Sequence, residues 1–218
     1  MATEPGYHVQ LDLYWVPLGA GARVVRACGK IYETLAAALQ RRTRRALYHS
    51  ALAAQTEAGC YFVEMAPIPD ALGTLRGVVG EGPVGLKALG HLRIFRYELR
   101  RWLDGEIPDL RYAVASPVPI SQDGLTVHRV LDLLPLAPRP IWGRDELHAG
   151  EMWNSNSVVS WLLARTDLLA AAGQPPRGGR APGWDAGVVV AMRDRTGQAT
   201  SRLPTCRPAG RDRSTGRT

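Results

Sequence analysis

The strongest constraint on the fold comes from three segments of the sequence. Two strand-like segments are joined by a short turn, and an apolar helix with capping residues at its start follows about a hundred residues later. Residues 47–55 and 60–65 are mostly apolar, and Glu57-Ala58-Gly59 separates them as a turn. Residues 158–163 are almost wholly apolar and follow Asn154-Ser155-Asn156-Ser157, residue types that favour helix N-termini. Together these patterns predict a β-hairpin and a buried helix.

The spacing of apolar residues and of Gly and Pro predicts the order of the other elements. We expect a strand over 7–16, a helix over about 30–45, a long loop over 73–90, a strand over 91–102, a short helix near 126–134 and a last strand over 184–192. The chain of 218 residues is long enough for one sizeable core. The sequence therefore predicts a single domain over 1–192.

The positive charge is concentrated at the C-terminal end of the chain. The net charge is +7, and residues 193–218 contain seven Arg, two Asp and no aromatic residue, which leaves a net of two positive charges for the rest. This composition predicts a basic, disordered tail. Such a tail binds polyanions without sequence preference, so polyanion binding is one candidate function. Specific nucleic-acid binding is not predicted, since no stacking aromatics accompany the Arg residues.

Cysteine usage and hydropathy exclude several classes of protein. The three cysteines, Cys28, Cys60 and Cys206, are widely spaced and odd in number, which argues against a disulfide framework or a metal knuckle. No cofactor and no metal site is predicted. No apolar run reaches the roughly 18 residues that a membrane span needs. Because the N-terminus also lacks the pattern of a signal peptide, the sequence predicts a cytoplasmic protein.

Three residues have the types and positions that nucleophilic catalysis requires. Ser155 lies at the start of the predicted helix, where the helix dipole and the free N–H groups stabilise an anion, and is the candidate nucleophile. His49, on the first hairpin strand, is the candidate base, and Glu64, on the second, the candidate orienting group. The Asn154 and Asn156 amides are candidate oxyanion donors. The structural alternatives are N-capping, a core histidine and a paired structural carboxylate.

A group of polar residues precedes the predicted helix. It consists of Trp142, Arg144, Asp145, Glu146, His148 and Glu151. One interpretation is a solvated loop, and the other is a substrate-binding rim that includes Trp142 and in which Arg144 contacts an anionic group of the ligand. The spacing of the acidic and histidine residues matches no standard metal-ligand motif, so no metal is predicted.

The order of these segments resembles a known group of proteins. The segments are Tyr48-His49-Ser50-Ala51-Leu52, Tyr61-Phe62-Val63-Glu64-Met65 and Trp153-Asn154-Ser155-Asn156-Ser157 followed by an apolar helix. They resemble the circularly permuted papain-like group, which includes NlpC-like and LRAT-like proteins, over roughly residues 45–165. The resemblance implies an α+β fold with an antiparallel sheet packed against helices. It also implies action on an amide, ester or thioester bond of a small-molecule, peptide or acyl substrate.

One position departs from the pattern of the group. Ser155 occupies the place of the usual cysteine nucleophile. A thiol ionises near neutral pH with little help, whereas a serine hydroxyl depends on an efficient general base. Two functions follow as alternatives: a hydrolase or acyltransferase that uses His49 and Ser155, or a catalytically inactive domain that binds a peptide or acyl ligand.

Overall fold

The computed structural model describes residues 8–19, 41, 43–68 and 77–201. These residues form a six-stranded sheet in which every pair of neighbouring strands is antiparallel. The strands are β1 (Gln10–Pro17), β2 (Tyr48–Thr56), β3 (Gly59–Pro67), β4 (Val78–Pro83), β5 (Arg96–Leu103) and β6 (Val118–Ser121). Their order in the sheet is β4-β5-β3-β2-β1-β6.

Three α-helices belong to the described part of the chain: α1 (Gly124–Leu133), α2 (Ser155–Arg165) and α3 (Trp184–Ser201). Helix α2 lies at the centre, because it packs against β2, β3 and α3. Along each strand the side chains alternate between the two faces of the sheet. Leu52 of β2, Val63 of β3 and Leu99 of β5 belong to the core under the helices, so His49, Glu64 and Arg100 point to the opposite face.

Local patterns in the sequence predict much of this architecture. The α+β class, the β2–β3 hairpin and α1 and α2 are confirmed, and β1 starts three residues later than predicted. The strand expected over 91–102 begins only at Arg96. The predicted helix over 30–45 lies almost wholly outside the described residues. None of the helices that the structure describes is long and apolar enough to cross a bilayer.

The long loop predicted over 73–90 is wrong for residues 78–83, which form the edge strand β4. Gly80 and Gly82 suggested a loop because glycine weakens strands, yet a glycine in a strand also marks a close approach. At Gly82 a Cβ would lie 2.4 Å from the ring of Tyr97 on β5, so the missing side chain makes room for the buried tyrosine. Pro83 is tolerated because β4 is an edge strand of the sheet.

The strand predicted over 184–192 is also wrong, since these residues begin α3. A short apolar run does not distinguish a strand from a buried helix. Gly187 decides the packing, because a Cβ there would lie 2.0 Å from the carbonyl oxygen of Ser157 in α2. Helix α3 continues through the predicted domain boundary at residue 192, and the Arg193 guanidinium donates to the carbonyl oxygens of Leu147 and His148.

Gly187→Ala is predicted to destabilise the protein, although replacing glycine by alanine inside a helix ordinarily stabilises it. The added methyl group would push α3 away from α2, and we expect the free energy of unfolding in urea to fall by about 1–3 kcal/mol. Gly124→Ala is the matched control, because the nearest atoms to its Cβ are 3.9 Å away. A Gly187→Ala variant as stable as the parent would contradict the close contact.

Candidate functional site

The start of α2 is fixed by a reciprocal capping arrangement. The Asn154 side chain accepts from the backbone N–H of Asn156 at 2.9 Å, and the Ser157 hydroxyl accepts from the backbone N–H of Asn154 at 3.0 Å. The Asn154 amide also donates to the carbonyl oxygen of Pro182 at 2.8 Å. Residues 154–157 therefore cap the helix, which is the structural alternative to a catalytic role for this segment.

Asn156 connects the helix start to both residues that flank His49. Its Nδ2 donates to the carbonyl oxygens of Tyr48 at 3.0 Å and Pro182 at 2.9 Å. Its Oδ1 accepts from the Ser50 hydroxyl at 2.9 Å. All of these bonds are buried, so they fix the strand of His49 against the first turn of α2.

The segment that contains Pro182 completes this arrangement. The carbonyl oxygen of Arg180 accepts from the backbone N–H of Tyr48 at 2.8 Å, so the segment lies beside the beginning of β2. Gly183 follows with a positive φ of 84°, and a Cβ there would lie 2.7 Å from oxygens of Asn154, Met152 and Ser157. A glycine is thus required at position 183 by the close approach of the helix cap.

Ser155 is the first residue of α2, and only 7% of its surface is exposed. Neighbouring residues hold its backbone, since Asn154 is the N-cap and Asn156 is bonded to β2. Within the described residues its hydroxyl makes no hydrogen bond to an imidazole or to any other group. The helix position predicted for the nucleophile is therefore present without the bond that would activate it.

The His49 imidazole points away from the helices. Its neighbour Ser50 pairs with Trp15 of β1, and Trp15 packs against Trp184 of α3 with ring centroids 5.0 Å apart. Because successive strand residues face opposite sides, His49 lies on the other face, opposite Val16. Burial lowers the pKa of His49, and the nearby Asp109 carboxylate opposes this shift. The imidazole is therefore neutral near pH 7.

Glu64 is paired with an arginine. Its carboxylate accepts from Arg100 Nη1 at 2.9 Å, and no hydrogen bond joins it to His49 within the described residues. Burial raises the pKa of Glu64, while the Arg100 guanidinium acts in the opposite direction. The contact with His49 that an orienting role would need is not seen for Glu64 in the described residues. Its contacts are those of the structural alternative, a carboxylate paired with an arginine.

Arg100 organises a buried charged cluster on the face of the sheet that carries His49. Besides Glu64 it donates to Glu98 at 2.8 Å and to the carbonyl oxygen of Pro67 at 3.0 Å. The sequence reasoning missed this arginine, although Arg100 and Glu98 are two apart on one strand and so share a face. Asp109 was missed as well. Its charge acts on both His49 and Glu64, but it follows β5 in a short 3₁₀ segment that no motif links to the hairpin.

Trp142 and Arg144 support the approach to α2. Trp142 packs edge-on against Tyr97, with ring centroids 5.8 Å apart. The backbone carbonyl of Arg144 accepts from the N–H of Trp153 at 2.9 Å, while its guanidinium donates to the carbonyl oxygen of Gly85. The guanidinium thus contacts backbone, and the predicted binding of an anionic group by Arg144 stays a prediction.

The acidic residues before α2 bind backbone N–H groups. Asp145 accepts from Ala149 at 2.7 Å, and Glu146 accepts from Ile141 at 2.7 Å. Glu151 accepts from Gly183 at 2.7 Å and also pairs with Arg180 at 3.3 Å. In the described part of the chain, no three His, Cys, Asp or Glu residues form a group that could hold a metal ion.

An open cleft of about 420 Å³ lies beside the beginning of α3. Its polar lining includes both charge signs, from Arg45, Arg180, Glu151 and Asp185. Its apolar lining includes Leu169, Pro175, Ala181, Trp184 and Val188. The sequence motifs did not indicate this cleft, because its walls come from the approach to β2, the segment before α3 and α3 itself.

Comparisons of the chain with protein-family models, with curated proteins and with solved structures find no match. The resemblance to the permuted papain-like group therefore rests on the residues themselves.

The stability of the protein is predicted to fall as the pH drops below about 6.5, the usual pKa of an unfolded histidine. Because burial holds the pKa of folded His49 below that value, the unfolded state binds more protons there and stability is lost. Urea unfolding at several pH values should show a shallower acid-side loss for His49→Gln than for the parent. Leu125→Gln, at an 84% exposed residue that binds no proton, should keep the parental slope. Equal slopes in all three proteins would contradict a buried neutral His49.

Proposed function

We propose that this chain is a permuted papain-like domain that binds a peptide or acyl ligand without forming a covalent bond through Ser155. Support for the fold comes from the order of its parts, since a histidine strand, its hairpin partner and a capped helix follow one another as in that group. The antiparallel sheet packed against helices agrees with it. The hydrogen bonds at the start of α2 support the noncatalytic part of the proposal.

The observation that carries this proposal is the use of both asparagine amides in buried structural bonds. Asn154 and Asn156 donate to Pro182, and Asn156 also binds Tyr48 and Ser50. An oxyanion donor must be directed at the position where charge develops, so these amides are not available for that role. The neutral imidazole lies on the other face of the sheet, which leaves Ser155 without a bonded base.

The cleft beside the beginning of α3 is the proposed place for the ligand. The indole of Trp184 and the Val188 side chain supply an apolar wall, while Arg180 and Glu151 form an ion pair at its edge. A volume of about 420 Å³ lies within the usual range for small-molecule sites. Because the lining of the cleft is more polar than apolar, it suits a ligand whose polar end lies beside an acyl chain or apolar residues.

Dodecanoate and N-acetyl-dialanine are suitable probes, and their binding can be measured by titration calorimetry. We expect saturable binding of at least one probe, and Val188→Phe should weaken it about tenfold or more by filling the cleft. Leu125→Phe is the control, because Leu125 is 84% exposed on α1 and does not line the cleft. No binding of either probe at millimolar concentration, or equal binding by Val188→Phe, would count against the proposal.

A hydrolase or acyltransferase is the second candidate, because one observation favours it. Asn156 holds the helix start against the residues on both sides of His49, and burial keeps the imidazole in the neutral form that accepts a proton. Catalytic hydrogen bonds are often long before a substrate binds. Acyl transfer with Ser155 as the nucleophile and His49 as the base would also require the start of β2 to rearrange when a substrate binds, because the imidazole lies on the face of the sheet away from α2.

A fluorophosphonate probe separates the two candidates. If Ser155 is not a nucleophile, we expect no labelling of the parent protein above the level of Ser155→Ala. Ser160→Ala is a control for nonspecific labelling, because the buried Ser160 hydroxyl donates to the Trp184 carbonyl oxygen. Labelling that Ser155→Ala and His49→Gln both abolish would overturn the noncatalytic proposal and establish the hydrolase.

A further inference from the structure

The end of an arginine-rich segment forms part of the cleft beside α3. Residues 41–45 contain four arginines and no acidic residue, and Arg45 lines the cleft. The chain that follows is bonded to another part of the cleft wall, because the Arg180 N–H donates to the Ala46 carbonyl oxygen at 2.8 Å. The Tyr48 N–H donates in turn to the Arg180 carbonyl oxygen at 2.8 Å. These backbone bonds hold the end of the arginine-rich segment at the edge of the cleft.

Arg44 is the basic residue whose charge is available to a ligand there. The two arginines that line the cleft have contacts of their own, since Arg180 pairs with Glu151 at 3.3 Å and Arg45 is also engaged. Arg44 is exposed, and within the described residues no hydrogen bond or ion pair holds its guanidinium. Consecutive Cα atoms are about 3.8 Å apart, so the long side chain of Arg44 starts beside the cleft wall.

The acidic side chains of the cleft wall do not cancel the charge of Arg44. Glu151 accepts from the Gly183 N–H at 2.7 Å as well as from Arg180, and these two charges compensate each other. Asp185 is exposed, but it lies in the first turn of α3, where the positive end of the helix dipole offsets a carboxylate. Arg44 therefore decides which sign of charge the edge of the cleft attracts.

The apolar part of the cleft is held in place from behind. The Trp184 ring packs against the buried Trp15 with centroids 5.0 Å apart, and Val188 follows one turn later on α3. Both Trp184 and Val188 line the cleft. An alkyl chain that lies against these two side chains would leave its end group at the edge of the cleft.

We propose that the ligand of this cleft is an acyl compound with an anionic end group, a carboxylate or a phosphate, and that Arg44 selects for its charge. This inference rests on the proposed function, because it names the chemical class of the ligand for the same cleft. A guanidinium matches the planar and bidentate geometry of both anions. Since Arg44 is exposed, it contributes charge selectivity, and the apolar wall contributes most of the affinity.

Titration calorimetry of the full chain with octanoate, octyl phosphate, octan-1-ol and octylamine tests the proposal. These compounds share one alkyl chain and differ in the charge of the end group. We expect at least one of the two anions to bind about fivefold more tightly than octan-1-ol, and octylamine to bind most weakly. The anion that binds more tightly identifies the end group as a carboxylate or a phosphate. Added salt should weaken the binding of the anions and leave that of octan-1-ol unchanged.

Substitutions at the edge of the cleft test the role of Arg44. Arg44→Glu reverses the charge, so it should weaken the binding of the tighter anion about fivefold without changing that of octan-1-ol. Arg129→Glu is the matched control, because Arg129 is an exposed arginine of α1 that does not line the cleft. It should bind the anion as the parent does. Asp185→Asn should act in the opposite direction and strengthen anion binding about twofold, because it removes a negative charge from the cleft wall.

The outcomes separate this inference from the proposed function. If octan-1-ol or octylamine binds as tightly as both anions, the inference is wrong and the proposed function stands. Equal losses in Arg44→Glu and Arg129→Glu, unchanged anion binding by Arg44→Glu, or weaker anion binding by Asp185→Asn would also overturn it. Absence of binding for all four compounds would overturn the proposed function together with the inference.

Discussion

The side-chain amide of Asn156 joins three parts of the chain that are far apart in sequence. It binds the Tyr48 carbonyl oxygen and the Ser50 hydroxyl on β2, and it binds the Pro182 carbonyl oxygen ahead of α3, while its own backbone belongs to the first turn of α2. A buried amide that loses these partners costs free energy for every group left unpaired. The helix start, the histidine strand and the entry to α3 therefore depend on one residue.

The two faces of the sheet use different physical means of stabilisation. Under the helices, Leu52, Val63 and Leu99 form part of a continuous apolar core. On the other face, Arg100 satisfies Glu64 and Glu98 within a buried cluster. A buried ion pair contributes little net stability but strongly penalises the loss of one member. The cluster thus fixes how β3 and β5 are aligned, and it accounts for the glutamate that the sequence suggested as a catalytic residue.

Features set by neighbouring residues were predictable from the sequence, and features set by distant contacts were not. The β2–β3 hairpin and the cap of α2 follow from turn and capping residues a few positions apart. The nature of residues 184–192 depends on Gly187 meeting Ser157, and β4 depends on Gly82 meeting the Tyr97 ring. For the candidate site, the positions of Ser155 and His49 along their elements were predictable. The direction of the imidazole was not, because it follows from the register of β2 against β1.

Because α3 continues beyond residue 192, the shortest part of the chain that keeps every described helix whole is longer than residues 1–192. Asp194 accepts a hydrogen bond from the Trp161 indole at 3.0 Å and pairs with Arg165 at 3.4 Å, so the last turns of α3 cover the far end of α2. Truncation at residue 192 would cut a helix in its middle and uncover a tryptophan. Shortened versions for crystallisation or binding work should therefore retain the chain to residue 201, with Arg193 and Arg195 counted as part of the folded body.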